Sequence, residues 1–414
     1  MEHAHHFSCG VEAQHQPPAT WIPTEWVTGV AEGWILMSND EPTEQTWLPS
    51  IGNGFVGTVA RSTFLSMAGV FNYRAAPEQV GVTLGHTGPG SHRAHVPSAH
   101  QISWSVGGTC RSAFGLDTRR GAWLERREGT DWVAQSRLYA HRARRGLLVT
   151  EIDVTTSGSR LMLNVSSPQQ QPATWLASPD LAFGPVLHSP AGEGSGAFWA
   201  TTLAGESGSP AWAQDHLPHG FNITSVYSVP QRSYEIDQGS RVLRFVSAHA
   251  SNLSEADPFS AAVAMFSSAV HAQTLFPSHV AAWDALYDPM QGGGNVTIQT
   301  NGQGNVATWL SQVVSASIHA LLAAARTDWP HGLSPGGLST DGYKGHTFWD
   351  QVRICGELCW RVRSRGRNHT AEKHLCPIHV PNMCPLLGTP RWYYTSYHGT
   401  AVAARARDEP NGQI

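Results

Sequence analysis

The chain has 414 residues, 41% of them apolar and 14% charged, which is enough to bury two or three ordinary domain cores. Its 27 Lys and Arg against 31 Asp and Glu leave a formal charge of -4, which excludes the basic field that a nucleic-acid or anionic-membrane binder needs. The 16 Trp and 13 Phe exclude a disordered composition, which is poor in aromatics.

Residues 1–44 hold several Pro, His and Gln without a sustained period and are expected to be a loose leader. His3, His5 and His6 read as solvated leader residues and not as a metal tract. The start of the chain lacks the basic end and apolar core of a signal peptide, and no apolar run reaches the ~20 residues of a bilayer span. Asn-x-Ser/Thr sequons at Asn164, Asn222, Asn252, Asn295 and Asn368 speak for a secretory or vacuolar route. Cytoplasmic and secretory locations therefore both stay open.

From residue 45 to 256 the chain is a series of short β-prone runs separated by Gly, Pro, Ser and Asn clusters. GFVGTVA, GVFNY, HQISWSV, GAWLERRE, SRLYAHR, GLLVTEIDVTT, RLMLNVSS, FNITSVYSV and RVLRFVSA are the clearest of them. Such spacing without long helices predicts a large antiparallel β-sandwich. In one run Leu148, Thr150, Ile152 and Val154 form one face, and Leu147, Val149, Glu151 and Asp153 form a second that turns polar. The period then changes: Asp257 is a suitable N-cap before Pro258 and an Ala-rich helix to about Gln273. A short helix follows over FPSHVAAWDALYD, the run Gly292 to Gly294 breaks it, and a stronger helix spans about Val306 to Ala325. His279 and His319, both on helices, read as core histidines.

The stretch HGLSPGGLSTDGYKGHTFWDQ, His331 to Gln351, is a glycine-rich loop ending in an aromatic pair beside a carboxylate. Glycines let backbone approach a ligand closely. Trp349 offers a flat face to the C–H side of a sugar ring, and Asp350 can accept hydrogen bonds from two hydroxyls. Phe348, His346 and Gly345 are candidate substrate-loop residues beside them. The same pattern also suits core aromatics with a helix-capping Asp. The loop lacks the Lys of a phosphate-cradling motif.

Here the chain resembles glycoside hydrolase family sixty-five, in its protein-glucosylgalactosylhydroxylysine glucosidase and acid-trehalase-like branch. The resemblance extends upstream, in the family's order, through LPSIGNGFVGT (Leu48 to Thr58), MAGVFN (Met67 to Asn72) and SHRAHVPS (Ser91 to Ser98). It continues through GLDTRRGAWL (Gly115 to Leu124), LYAHR (Leu138 to Arg142) and HVAAWDALY (His279 to Tyr287). The implied architecture is multidomain β plus α: an N-terminal antiparallel β-super-sandwich over 45–256, a helical linker over 257–298, and the start of an (α/α)6 barrel over 299–351, left incomplete. The implied activity is inverting hydrolysis of an α-glucoside such as glucosyl-galactosyl-hydroxylysine, with Trp349 and Asp350 binding the glucosyl unit. Acid α,α-trehalase, a disaccharide phosphorylase and a non-catalytic carbohydrate-binding protein are the alternatives.

After Gln351 the resemblance stops, and residues 352–414 form a basic, Cys- and Pro-rich tail. An inverting hydrolase needs one carboxyl as acid and another as base, ~6.5–9.5 Å apart, and the family places its acid beyond the matched part. Neither role is assignable, Glu357 and Glu372 included, so the chain is expected to be truncated or mis-spliced after Gln351 and inactive. Cys355, Cys359, His369, His374, Cys376, His379 and Cys384 fit no common zinc spacing. No cofactor or metal is expected, the partner is a glucoside or glycan, and no oligomeric state is assigned.

Overall fold

The computed structural model describes residues 21–42, 48–72, 92–167, 182–189, 198–205, 221–287, 304–329, 334–340 and 342–345, with a short strand pair at 394–395 and 401–402. The elements begin with α1 (Thr24–Glu32), β1 (Ile35–Ser38), β2 (Ser50–Gly52), β3 (Val56–Val59), β4 (Phe64–Met67), β5 (Phe71–Asn72), β6 (His92–Arg93) and β7 (Val96–Pro97). Next come β8 (Ser103–Val106), β9 (Arg111–Asp117), β10 (Ala122–Glu128), β11 (Trp132–Ala140), β12 (Leu147–Ser166), β13 (Ala182–Ser189), β14 (Phe198–Gly205), β15 (Phe221–Ser228) and β16 (Ser233–Ser251). Helices α2 (Pro258–Val270), α3 (Leu275–Tyr287) and α4 (Gly304–Ala324) follow, then a 3-10 turn at Gly342–Gly345 and the pair β17 (Tyr394–Thr395) and β18 (Ala401–Val402).

The fold is mostly antiparallel sheet. Among the described residues ten strands form one sheet in the order β1-β9-β10-β11-β12-β16-β15-β14-β13, with β8 on the far half of β12. A smaller sheet runs β2-β3-β4-β7. The strand alternation foreseen at residues 147–154 is realised. Leu148, Thr150, Ile152 and Val154 are all buried on one face, while on the other Leu147, Val149 and Glu151 are buried and Asp153 is exposed. Because side chains alternate along each strand, the same split recurs across the sheet. Phe114, Trp123, Leu138, Leu148 and Ile223 meet the small sheet in one core. Ala113, Leu124, Tyr139, Val149, Val226 and Val246 meet α1 and α2 in another. A third cluster, around Trp104, Trp132, Ile152, Val154 and Phe245, lies toward the other half of β12.

Three sequence expectations change. Residues 21–42 are not a loose leader: they form α1 and β1, bury Trp26 in the second core, and add β1 to the sheet edge by pairing Ile35 with Asp117. The cause is tertiary, since a nine-residue helix is marginal alone and is held by its packed face. GLLVTEIDVTT and RLMLNVSS are not two strands but one, with a register shift between Thr156 and Arg160 where Ser157 and Gly158 suggested a turn. By length and composition, Val306–Ala324 of α4 is apolar enough to cross a membrane, with a mean hydropathy of 1.4.

Helix α2 begins where the sequence predicts: Asp257 accepts a hydrogen bond from the Ser260 N–H at 3.1 Å, with Pro258 at the first helical position. Ala262, Phe266 and Ala269, spaced as one helical face, bury against the sheet.

Candidate functional site

The stretches that carried the sequence resemblance converge on one junction between the sheets, α3 and α4. Asn53 is fully buried at its centre. Its amide donates to the carbonyls of His141 and Arg145 at 3.0 and 2.8 Å, and its oxygen accepts from the N–H groups of Phe55 and Val56 at 2.9 and 3.0 Å. An Asn does this well because it offers two donors and two acceptor sites. Replacing Asn53 by Asp, which keeps the shape but turns the two donors into acceptors facing carbonyls, is expected to cost about 3 kcal/mol, at least as much as Asn53→Ala. Urea denaturation of both variants checks this, and an Asp variant as stable as the parent would contradict it.

The C-terminal end of α4 is capped from outside the helix. Arg142 donates to the Leu322 carbonyl at 2.7 Å and to the Asn53 carbonyl at 2.9 Å. The N–H of Gly54 donates to the Ala323 carbonyl at 2.8 Å. Gly54 has φ +82, and a Cβ there would lie 2.3 Å from the Ala325 carbonyl carbon, so only glycine lets the backbones meet. A cation at a helix C-terminus is favourable, and Arg142 keeps its charge at neutral pH although burial lowers its pKa to about 10.

Helix α3 is held by its histidine. His279 Nδ1 accepts from the Arg142 N–H at 3.1 Å, and Nε2–H donates to the Arg120 carbonyl at 2.6 Å. A ring nitrogen that accepts an N–H bond must be unprotonated, so His279 is neutral, and burial pushes its pKa down to about 3. His141 beside it accepts from the Arg144 N–H and bonds Ser278, and burial lowers it to about 4. Trp283, one turn beyond His279 and fully buried, stacks on His319 of α4 at 5.5 Å. His319 in turn donates to the Ser50 carbonyl. The expectation that His279 and His319 are core histidines holds.

The glycine-rich segment is strapped across this junction. Trp329 Nε1 donates to the Ala68 carbonyl at 3.0 Å and its ring meets Phe55 edge-on at 4.7 Å. Leu338 is buried in the first core. Ser334 donates to the Gly342 carbonyl and Thr340 to the Gly336 carbonyl, closing the loop on itself. Of the residues singled out in the sequence, Gly345 ends the 3-10 turn and is buried. His346, Phe348, Trp349 and Asp350 lie outside the described residues, as do Glu357, Glu372 and the Cys and His of the tail.

Sequence reasoning quoted the stretches holding Asn53, Arg93 and Arg142 without assigning these residues a role. The carbonyls to which these side chains donate lie 88 to 252 positions away, so only the recurrence of polar residues inside glycine-rich apolar runs could have signalled them. Among the described residues, the buried carboxylates are all committed to the fold. Glu125 accepts from Arg61 and Trp123, Glu151 from Arg137 and Arg244, and Asp117 from the Arg120 N–H. Among the described residues, no group of three or more His, Cys, Asp or Glu is arranged to hold a metal.

No family model matches the chain. The chain is 26% identical over 347 residues to the protein-glucosylgalactosylhydroxylysine glucosidase of Dictyostelium discoideum, covering 79% of this chain and 43% of that protein. It is 25% identical to the protein of the same name in Gallus gallus, covering 78% of this chain and 44% of the relative. The chain thus spans less than half the length of the curated relatives it matches. A solved structure described as a kojibiose phosphorylase from the human microbiome has a TM-score of 0.51 at 13% identity and covers 78% of this chain and 43% of its own, a likeness of fold. The chain is similar to this group of glycosidases and glycoside phosphorylases along most of its length.

Proposed function

We propose that the chain is the glucoside-recognising part of an α-glucoside-processing enzyme of glycoside hydrolase family sixty-five, with glucosyl-galactosyl-hydroxylysine as the preferred substrate class. The names of the curated relatives support that substrate. In this reading 45–256 is the super-sandwich domain, 257–298 the linker, and 299–351 the first part of a helical barrel. Trp349 stacks on the glucosyl ring and Asp350 bonds its hydroxyls. The observation that carries the reading is the convergence of Asn53, Arg142 and His279, all from family-like stretches, on one junction at the C-terminal end of α4, the helix from which the chain runs on into the glycine-rich segment.

On this reading the 414 residues by themselves bind an α-glucoside without cleaving it; what supports this is that, among the described residues, the buried carboxylates Glu125, Glu151 and Asp117 are bonded within the fold. Incubation with glucosyl-α-1,2-galactose is expected to give saturable binding by calorimetry, with neither glucose nor, in the presence of phosphate, glucose 1-phosphate released. Asp350→Asn and Trp349→Ala are each expected to weaken binding about tenfold or more, the cost of about 1.4 kcal/mol or more of lost contact. Unchanged binding in both variants would sink the sugar-site reading. Release of glucose by the chain would overturn its inactivity.

A further inference from the structure

The five Asn-x-Ser/Thr sequons play no part in the proposed function, and the fold separates them. Asn295 and Asn368 lie outside the described residues. In Asn222-Ile223-Thr224 the hydroxyl residue is 1% exposed and Ile223 belongs to the first core. Asn252-Leu253-Ser254 is folded into a turn in which the Ser254 hydroxyl donates to the Ser251 carbonyl at 3.0 Å. Asn164-Val165-Ser166, on β12, is different. Val165 is buried in the third core, while Asn164 and Ser166, two residues apart on one strand, share the opposite face and are both exposed. In the sheet Asn164 lies between Ser105 of β8 and Ser233 of β16, and Ser166 lies beside Ser103. All three of these serines are exposed. Next along the same face come Met162, 45% exposed, and its exposed partner Glu235. Among the described residues nothing covers this face, so a bulky group attached at Asn164 meets small hydroxyls and water.

We propose that Asn164 is an N-glycosylation acceptor, and that the chain therefore passes through a secretory lumen. The donor is a lipid-linked diphosphate oligosaccharide. The bond from its anomeric carbon to the diphosphate oxygen breaks, and a bond from that carbon to Asn164 Nδ2 forms. Nδ2 gives up one proton, and the lipid diphosphate leaves with the electron pair. The order of folding also suits transfer, which needs an unpaired chain. Ser233, the neighbour of Asn164 on one side, belongs to β16, which is made only after β13, β14 and β15. Asn164 is therefore open on that side when it first emerges, and the attached glycan stays on the uncovered face once β16 has closed beside it. The site stands apart from the sugar-site reading above and does not depend on it.

The test uses the whole 414-residue chain, tagged and expressed in its own cells. Digestion with a peptide:N-glycosidase in heavy-oxygen water turns each glycosylated Asn into a labelled Asp, which peptide mass spectrometry then locates. Label at Asn164 in most copies, with a gel shift that the digestion abolishes, is the expected result. Ser166→Ala is expected to abolish the label at Asn164 while leaving the Asn in place, and Ser166→Thr to keep it, because the transferase reads the hydroxyl two residues on. Label that persists in Ser166→Ala marks chemical deamidation and overturns the proposal. A second arm directs the same chain behind a cleavable signal peptide into the secretory lumen of a cultured eukaryotic cell. Label in that arm alone overturns the secretory route, and an unlabelled Asn164 in both arms overturns the site. Unglycosylated Asn164→Gln made in bacteria is expected to melt with the unglycosylated parent, since an exposed side chain among small neighbours adds little to the fold. A clearly lowered melting temperature would give Asn164 a structural role instead and count against the acceptor reading.

Discussion

Between pH 7 and about pH 5 the domain is expected to lose a net amount on the order of 7 kcal/mol of stability and to unfold cooperatively at the acid end of that range. The cause is a set of histidines buried in neutral form. His100 bonds Thr150 at 2.8 Å and Ser247 at 2.7 Å, and Ser247 bonds His249, which reaches Ser225, so one hydroxyl–imidazole chain runs through the sheet interior without a carboxylate. Burial pushes His100 and His249 to about 3, as it does His279, and His141 to about 4. The charges around the two junction histidines add to the effect, with Arg144 near His141 and Arg142 and Arg137 near His279. A histidine held below its ordinary value of 6.5 contributes stability that is complete above that value and is lost as pH falls toward the folded one, because the unfolded chain takes up the proton first. Each of the four then forfeits about 2 kcal/mol at pH 5. Asp117 works the other way: burial raises it to about 6, so acid relieves its buried charge by about 1 kcal/mol. Four histidines outweigh one carboxyl. Urea midpoints at pH 7, 6 and 5 measure the slope, and a flat profile would remove the argument.

The second large effect is at Glu151. Three neighbouring strands place Arg137, Glu151 and Arg244 in one cross-strand row on the helix-covered face. Each carboxylate oxygen of Glu151, 1% exposed, accepts from one guanidinium at 2.6 Å. The arginines hold the helices in turn. Arg137 lies 4.1 Å over the Phe276 ring at the start of α3, and Arg244 donates to the Ala272 carbonyl after α2. Removing the carboxylate leaves two guanidinium groups facing each other over an apolar layer, a change that typically costs about 3–5 kcal/mol. Glu151→Ala and Glu151→Gln are therefore expected to fall in that range by urea denaturation, with the α2–α3 connection becoming the first proteolytic cut. A triple change of Glu151, Arg137 and Arg244 to apolar residues of similar volume should recover most of the loss, since the row then has no charge to leave unpaired. A single variant that loses less than about 1 kcal/mol would contradict the role given to Glu151.

How far these features were legible in the sequence depends on whether their causes are local. The alternation of residues 147–154 and the Asp257–Pro258 helix start were readable because period and capping act over a few residues. Helix α1 was not, because what orders it is Trp26 buried against strands roughly a hundred positions away. Strand β9 escaped because RSAFGLD carries a glycine, Gly115, where the pattern calls for a large residue. Gly115 lies opposite Met37 of β1 in the ladder, a pairing that neighbouring residues do not announce. For the site, the family-like stretches marked where to look, yet Asn53, Arg93 and Arg142 bond to carbonyls whose positions only the completed fold supplies. Polar residues that recognise backbone leave no pattern in neighbouring side chains.

The long central ladder has a consequence for how the chain reaches this state. β12 and β16, of 20 and 19 residues, pair along nearly their whole length, with Leu147 opposite Ala248 and Asn164 opposite Ser233. The first of these pairs joins residues on the order of 100 positions apart, and β13, β14 and β15 lie in the intervening loop. Loop-closure entropy must be met before that ladder returns any contact energy. Folding therefore waits on the most distant pairing in the sheet. Until that pairing forms, the edges of both central strands stand open to neighbouring chains, which makes the nascent domain prone to aggregate and its slow step the closing of one ladder.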